Sequence, residues 1–386
     1  MVTVRTVAAL FALVPGLLGA AGFDHFYNLE YDEAIQEFRK AIEQDPANAD
    51  NHNHLAQAVL YRDMYLAGAI ESELVSGNNP FLSRAKIKIP AEDAKMFDGA
   101  IARSMEISQA RLKSSPKDTR TLYSLGVAYG LRGNYNFLVR RAWMDALKDA
   151  TQARKLHNRV TELDPGFIDA RLVQGVHDYV VGSLPWNWRL LGFLVGFHGD
   201  REGGVKTLKL VAREGGLNRV DAEILLAVVY RRERRAAEAI PLLNDLIRRY
   251  PRNYILRLEM VQMYADLGKK QEALDVLDAM EKLKQNDAPG YGKLPAEKIY
   301  YSRGNLLFWY NDLDPAIENL KRVTARVSAV DLNTGMNAWL RLGQIYDLKK
   351  QRNLAEAAYK QAINGAPDSD AAKESRKYLS RPYRRG

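Results

Sequence analysis

The chain has 386 residues, enough for two or three ordinary domains, and its 47% hydrophobic, 27% charged composition is that of a folded globular protein. Its formal net charge of +9 is a mild basic excess rather than that of a polycation. With no cysteine, disulfides, thiolate metal centres, a cysteine nucleophile and an acylated lipoprotein cysteine are excluded.

From the N-terminus, residues 1–22 carry one charge, Arg5, then an apolar run Val7–Val14, the break Pro15-Gly16, and small residues over Gly19–Gly22. That order predicts a secretory signal peptide cut near residues 20–22. The mature chain, 23–386, is then exported, periplasmic or secreted; the alternative is an N-terminal anchor in the inner membrane. The run is shorter than the roughly 20 residues that a bilayer span needs.

Downstream, a pattern returns with a period near 34 residues. Gly22, Ala34, Phe38, Ala41 and Pro46 form the first copy. Leu125, Gly126 and Tyr129 open another, completed by Ala153, His157, Val160 and Pro165. Leu226, Ala227, Tyr230, Ala239, Leu243, Leu246 and Pro251 make a clear copy, and Tyr264, Ala273 and Leu277 follow in phase. Gly304, Ala316, Leu320 and Val323 are looser. The last copy, Trp339, Leu342, Gly343, Tyr346, Ala355, Tyr359, Ala362 and Pro367, is complete.

In each copy, small residues at positions 8 and 20 let two helices approach closely. Large residues at 4, 7, 11 and 24 fill the space between neighbouring pairs. Proline at 32 ends the second helix. Each pair leaves an apolar face that only the next pair covers, which predicts one elongated domain with a capping helix near 371–379.

The position-20 residues Ala34, Ser104, Ala153 and Gly204 are separated by 70, 49 and 51 residues, so insertions are expected near 66–95, 134–148 and 180–200. The first reads as loop. The second reads as helical, lengthening the second helix of its pair. The third holds Trp186, Trp188, Phe193 and Phe197, with only Arg189 and Asp200 charged. It reads either as a lid or interfacial contact, or as a plug folded back into the stack.

These residues resemble the tetratricopeptide repeat family over nearly the whole mature chain, and the signal segment makes it resemble an exported bacterial member. Ser183-Leu184-Pro185, Gly192-Phe193, Gly196-Phe197 and Gly199-Asp200-Arg201 are also similar to the tetratricopeptide proteins of the mitochondrial outer-membrane and inclusion-body clearance group, which implies a shared insertion only. The resemblance implies an all-α fold: a right-handed α-solenoid of about eight helix–turn–helix repeats with three insertions, whose first helices line a concave groove. Members that hold chaperone tails carry a Lys, Asn and Arg clamp at positions 2, 5, 6 and 9. Only isolated clamp members appear here, as in Lys298, Tyr301, Ser302, Asn305 and in Asn337, Leu340, Arg341, Gln344. The expected groove surface is instead apolar and aromatic: Tyr123, Leu172, Ile224, Leu258, Tyr301 and Phe308. Arg231, Arg232, Trp186 and Trp188 complete the expected partner-binding set.

Catalytic chemistry finds no pattern. None of the histidines His25, His52, His54, His157, His177 and His198 forms a His-Glu-x-x-His pair, and no phosphate loop or nucleophile elbow occurs downstream of the N-terminal segment. His157 occupies the ring position 24 as a packing residue; His177 and His198 flank the third insertion. No catalytic residue, metal or cofactor is expected. Asp24–Asp50 has a net charge of −6 and the last 14 residues +5. The Arg231–Arg235 run and the basic C-terminus read as a solvated turn and a frayed tail, without a nucleic-acid role.

The sequence thus predicts a non-enzymatic interaction scaffold exported to the cell envelope, docking a peptide or helix of a protein partner in its concave groove, with peripheral membrane contact as a second use. The alternative is a carrier of an apolar small molecule or lipid in a pocket closed by the 180–200 insertion.

Overall fold

A computed structural model describes residues 20–70, 87, 89–183 and 199–385, and every regular element among them is helical. Residues 1–19 of the expected signal, most of the first insertion, and 184–198 of the third, with Trp186, Trp188 and His198, lie outside the described residues. Among the described residues, no helix is long and apolar enough to cross a membrane. The chain divides into two compact units, one reaching to Glu233 and the other starting at Arg234.

The N-terminal unit contains α1 (Ala20–Tyr27), α2 (Tyr31–Gln44), α3 (Ala49–Leu66), α4 (Ala91–Ser114), α5 (Thr119–Tyr135), α6 (Trp143–Leu163), α7 (Arg171–Gly182), α8 (Arg201–Glu214) and α9 (Arg219–Arg232). The C-terminal unit contains α10 (Ala236–Arg249), α11 (Tyr254–Asp266), α12 (Lys270–Gln285), α13 (Ala296–Trp309), α14 (Leu313–Thr324), α15 (Leu332–Leu348), α16 (Arg352–Gly365) and α17 (Asp370–Ser380). Within the units, α1, α3, α5, α7, α11, α13 and α15 are the first helices of pairs and α2, α4, α6, α8, α12, α14 and α16 the second; α9 and α10 carry the first-helix and second-helix sequence pattern in their respective units. The final helix, α17, packs on α15 and α16 with Ala371, Ala372 and Ser375 inward.

The crossing of each pair rests on one close approach. A Cβ added to Gly126 would stand 2.7 Å from the His157 ring, and one at Gly304 would stand 2.7 Å from Leu320. Gly22 faces Phe38 and Gly343 faces Tyr359 in the same way. In each case a position-8 glycine meets the position-24 side chain of its own pair. Across the crossing, Ala34, Ala153, Ala239, Ala273, Ala316 and Ala355 are fully buried. Second helices α2, α4, α6, α10 and α16 each stop within two residues of Pro46, Pro116, Pro165, Pro251 and Pro367.

First helices end alike. Leu29, Gly68, Arg141, Gly268, Asn311 and Lys350 take left-handed backbone just after a first helix, and a backbone N–H one residue on donates back into it, as from Lys269 to Tyr264 O (2.9 Å). Only two of these six are glycine. The others accept a cost of about 1 kcal/mol each to reverse the chain there.

The first two insertions sit at two of these reversals, Gly68 and Arg141. α3 is itself a first helix with Ala56 fully buried at position 8, so the first insertion separates α3 from α4 within a pair. Gly22 to Ala56 spans one period, a signal that the wide Ala34–Ser104 gap concealed. The 134–148 segment lengthens both helices of its pair rather than the second alone. α5 runs on through a π turn, Asn136–Arg140, and α6 starts at Trp143, because Arg141 places the reversal midway. The third insertion falls between α7 and α8. At the N-terminus, α1 begins at Ala20, so residues 20–22 form its first turn, and Phe23 packs edge-on against Phe38 and His54.

Two glycine substitutions separate packing from backbone conformation. Gly343→Ala gains helix propensity of about 1 kcal/mol but drives a methyl into the Tyr359 ring, so it should destabilise by about 1–2 kcal/mol net. Gly268→Ala meets nothing within 4 Å, yet sits at φ +74, so its cost should be about 1 kcal/mol from backbone alone. Urea unfolding of both variants measures this, and a neutral or stabilised Gly343→Ala would refute the packing account.

Candidate functional site

In the C-terminal unit, first helices α11, α13 and α15 present one face in common. α13 supplies Tyr301, Asn305, Phe308 and Trp309 at the spacing that keeps one helix face. Phe308 is fully buried, whereas Trp309 beside it is 58% exposed, and the two rings meet edge-on at 5.1 Å. From α15, the Arg341 guanidinium lies 4.4 Å from the Phe308 ring centre and 5.0 Å from that of Trp309. Gln344 Oε1 accepts from it at 2.7 Å. Asn305 Oδ1 is buried without a partner.

The chain's own C-terminus covers part of this face. After α17, residues 381–385 turn back over the C-terminal ends of α15 and α13. The Tyr383 backbone N–H donates to Asp347 Oδ2 at 2.8 Å, and its ring stands 6.1 Å from Phe308. Arg385 donates to the Phe308 carbonyl and to Asn311 Oδ1 (2.9 Å), with its guanidinium 4.8 Å from the Phe308 ring centre. Phe308 thus lies between two guanidiniums, one from the face and one from the tail. The frayed tail expected from the charge run is not what forms at Tyr383 and Arg385, because Phe308 and Asp347 give them partners.

Asp347 is the hub of the tail's attachment. Its side chain is 1% exposed, and it accepts from Arg352 (2.9 Å), the Tyr359 hydroxyl (2.8 Å) and Tyr383 N–H. The Arg352 guanidinium and the two neutral donors thus compensate the burial of this carboxylate.

The other expected binding residues are dispersed. In the N-terminal unit, Tyr123 is fully buried; its hydroxyl accepts from Asn218 Nδ2 (2.7 Å) and its ring stacks on Phe167. Leu172 is buried and Ile224 half-buried. Arg231 and Arg232 are half-buried at the end of α9, Arg232 lying over the Tyr179 ring. In the C-terminal unit, Leu258 is half-buried on α11. Among the described residues, Tyr301 and Phe308 share one face of α13, and Trp309, Asp347, Tyr383 and Arg385 join them unanticipated. Repeat position 12, which both Phe308 and Asp347 occupy, was the available signal.

The interior of the N-terminal unit is polar where first helices converge. Asp50 accepts from Arg120 (2.6 Å) and Ser124 (2.6 Å), and Asp169 accepts the backbone N–H groups of Gly216, Leu217 and Asn218. Tyr27 of α1 donates to Asp221 of α9 at 2.8 Å. A cavity of about 340 Å³ opens between the N-terminal ends of α3 and α5 and the end of α4, lined by Asp50, His54, Ser108, Arg111 and Arg120 among others. His177 Nε2 lies 2.8 Å from Arg154, and Nδ1 lies 3.2 Å from Asp178. Among the described residues, no group of three His, Cys, Asp or Glu side chains could hold a metal ion.

Burial shifts several groups here. Desolvation, opposed by the Tyr27 hydrogen bond and reinforced by Asp169 and Glu223, pushes Asp221 up to about 7. Desolvation lowers His157 to about 4, and His54, where Asp50 and Arg120 act in opposite senses, also to about 4.

Paired helices with small residues at their crossing and a period near 34 define an all-α helix–turn–helix repeat protein. Family models described as TPR repeat and tetratricopeptide repeat match residues 30–60, 230–296 and 337–369. The chain belongs to the tetratricopeptide repeat family. Among curated proteins, human Protein O-mannosyl-transferase TMTC1 is 32% identical over 133 residues, covering 33% of this chain and 14% of that protein. Among solved structures, the human IFIT1 dimer with m7Gppp-AAAA is similar at 14% identity, covering 98% of this chain and 86% of that one, with TM-score 0.46. Yeast Tom70 gives 13%, 94%, 95% and 0.39. YrrB, titled a TPR protein with an unusual peptide-binding site, gives 14%, 71%, 99% and 0.32.

The pKa shifts fix a pH profile. Asp221 binds its proton more tightly when folded, so its contribution is fully present below pH about 4 and is lost as pH rises toward about 7. His157 behaves oppositely, losing its contribution as pH falls from about 6.5 to about 4. Asp221→Asn should therefore flatten the stability loss between pH 4 and 7, and His157→Phe the loss below pH 6.5, each by a few kcal/mol at most. Thermal unfolding across that range checks both, and unchanged slopes would contradict the burial account.

Proposed function

We propose that this tetratricopeptide repeat protein is a non-enzymatic scaffold, exported to the cell envelope, that docks an extended peptide of a protein partner on the first-helix face of its C-terminal unit. The observation that supports this is the tail itself. A short segment lies on this face with an aromatic ring beside Phe308, a backbone N–H on Asp347 and a guanidinium over the Phe308 ring, all of which an extended peptide can offer. Asn305 Oδ1 and exposed Trp309 are further contact points on the same face. An occupant that donates an N–H to a carboxylate and a guanidinium to carbonyl oxygens is the electrostatic opposite of a phosphate backbone, which favours peptide over nucleic acid. Transferase activity is not carried over from a relative matched over 14% of its length. Export rests on residues 1–22 of the sequence; fusing them to a reporter active only outside the cytoplasm tests it, and a silent fusion removes that part of the reading.

For the docking face, a chain ending at Ser380 should bind a fluorescent peptide of residues 380–386 at least about ten-fold more tightly than the full chain does, because the tethered tail no longer competes. Arg341→Ala and Asp347→Asn in the shortened chain should each weaken it. Anisotropy measures both. A shortened, folded chain that leaves the peptide free would rule this face out.

A further inference from the structure

In the N-terminal unit the described turns from first to second helices lie along one edge of the stack, and the turns from second to first helices along the other. The two edges differ in chemistry. Second-to-first turns carry Asp45, Asp118 and Asp164. The ends of first helices and the turns after them carry Arg140, Arg141, Arg231 and Arg232 against Glu30 and Glu233.

Among the described residues of this unit, the exposed large apolar side chains lie on the same basic edge: Leu66 at 72%, Trp143 at 39%, Met144 at 78% and Leu147 at 47%. The last three form the outer side of one elbow. α6 starts at Trp143, and its inward residues Ala146 and Asp149 are buried against α5. The outward positions, where a surface helix ordinarily places polar groups, hold Trp, Met and Leu instead. Phe137 of the π turn meets Trp143 edge-on at 4.7 Å, which extends the apolar tip and fixes the tryptophan. Arg140, bridged to Asp98, Arg141 and Lys148 rim the tip, with Asp145 the one acid on that stretch.

We infer that this elbow inserts shallowly into the surface of an anionic lipid bilayer. A projecting tip of tryptophan, methionine and leucine suits the headgroup–acyl boundary, where tryptophan partitions. The arginines and lysine of the same edge meet anionic headgroups, and the acidic turns point the other edge away. An exposed apolar tip flanked by Arg140, Arg141 and Lys148 against Asp98 and Asp145 keeps a net positive rim, which favours an anionic membrane.

The absence of cysteine makes the test direct, since Met144→Cys supplies the only thiol for an environment-sensitive fluorophore in the full chain. Vesicles of phosphatidylcholine with about one third phosphatidylglycerol should shift emission at 144 to the blue and brighten it several-fold. The same label at Lys117→Cys, on the acidic edge, should not respond. Leu147→Ser, which leaves charge unchanged, should lower the partition of the 144-labelled chain roughly five- to ten-fold. No response at 144, or equal responses at 144 and 117, overturns the inference. So does a blue shift at 144 in concentrated protein without vesicles, which would show that a second copy of the chain covers the tip.

Discussion

Everything in this fold depends on the distance at which two helices of a pair can cross. At Gly126, Gly304 and Gly343 there is no room for even one added carbon, because a ring or leucine from the partner helix occupies that space. Fixing that contact fixes the angle of the pair, and the angle decides which residues of the first helix face inward. It also decides where the chain can grow. A crossing cannot absorb an extra side chain without moving both helices, whereas a turn can lengthen at small entropic cost. All three insertions accordingly fall between the two helices of a pair, and for the first two a left-handed residue, Gly68 or Arg141, marks the turn at which they enter.

The two units use their first-helix faces differently. In the N-terminal unit, polar side chains of α1, α3, α5 and α9 hydrogen-bond across helices inside the unit, Tyr27 to Asp221 and Arg120 and Ser124 to Asp50. In the C-terminal unit, the face keeps an exposed tryptophan, a guanidinium over two rings and a nearly enclosed carboxylate, and it accepts a peptide segment from the same chain. The second arrangement is suited to exchange, because each contact to the tail is one that another extended segment could make. The first is suited to permanence, since breaking it would strand buried polar groups at a cost of about 1–3 kcal/mol each.

Much of this was legible in the residues. The alanines at position 20, the prolines after second helices and the glycine–ring pairs read directly as helix pairs, because the physics acts over one period and leaves the same residue each time. α3 was hidden for the opposite reason. It is buried almost all round, with Asp50, Asn53, His54 and Gln57 among the buried residues, and a first helix that mixes polar and apolar side chains on every side does not announce itself by hydrophobic periodicity. The tail was misread because charge in a sequence shows a donor but not its acceptor; Arg385 is ordered by Phe308 and Asn311, which lie more than 70 residues earlier. Tyr123 and Leu172 show the remaining limit. Position along a repeat places a residue on the inner face but does not say whether other parts of the chain already cover it.

The bond from Tyr27 to Asp221 joins residues 194 apart in a chain whose other contacts are mostly between neighbours. A repeat array linked only to its neighbours behaves like a row of dominoes, losing units from its ends one at a time. Tying the first helix to the ninth turns the row into a closed circuit, in which no end unit can leave without opening the whole. The N-terminal unit should therefore melt as a single cooperative block, and the helix nearest the N-terminus, ordinarily the first to fray, is as secure as the middle.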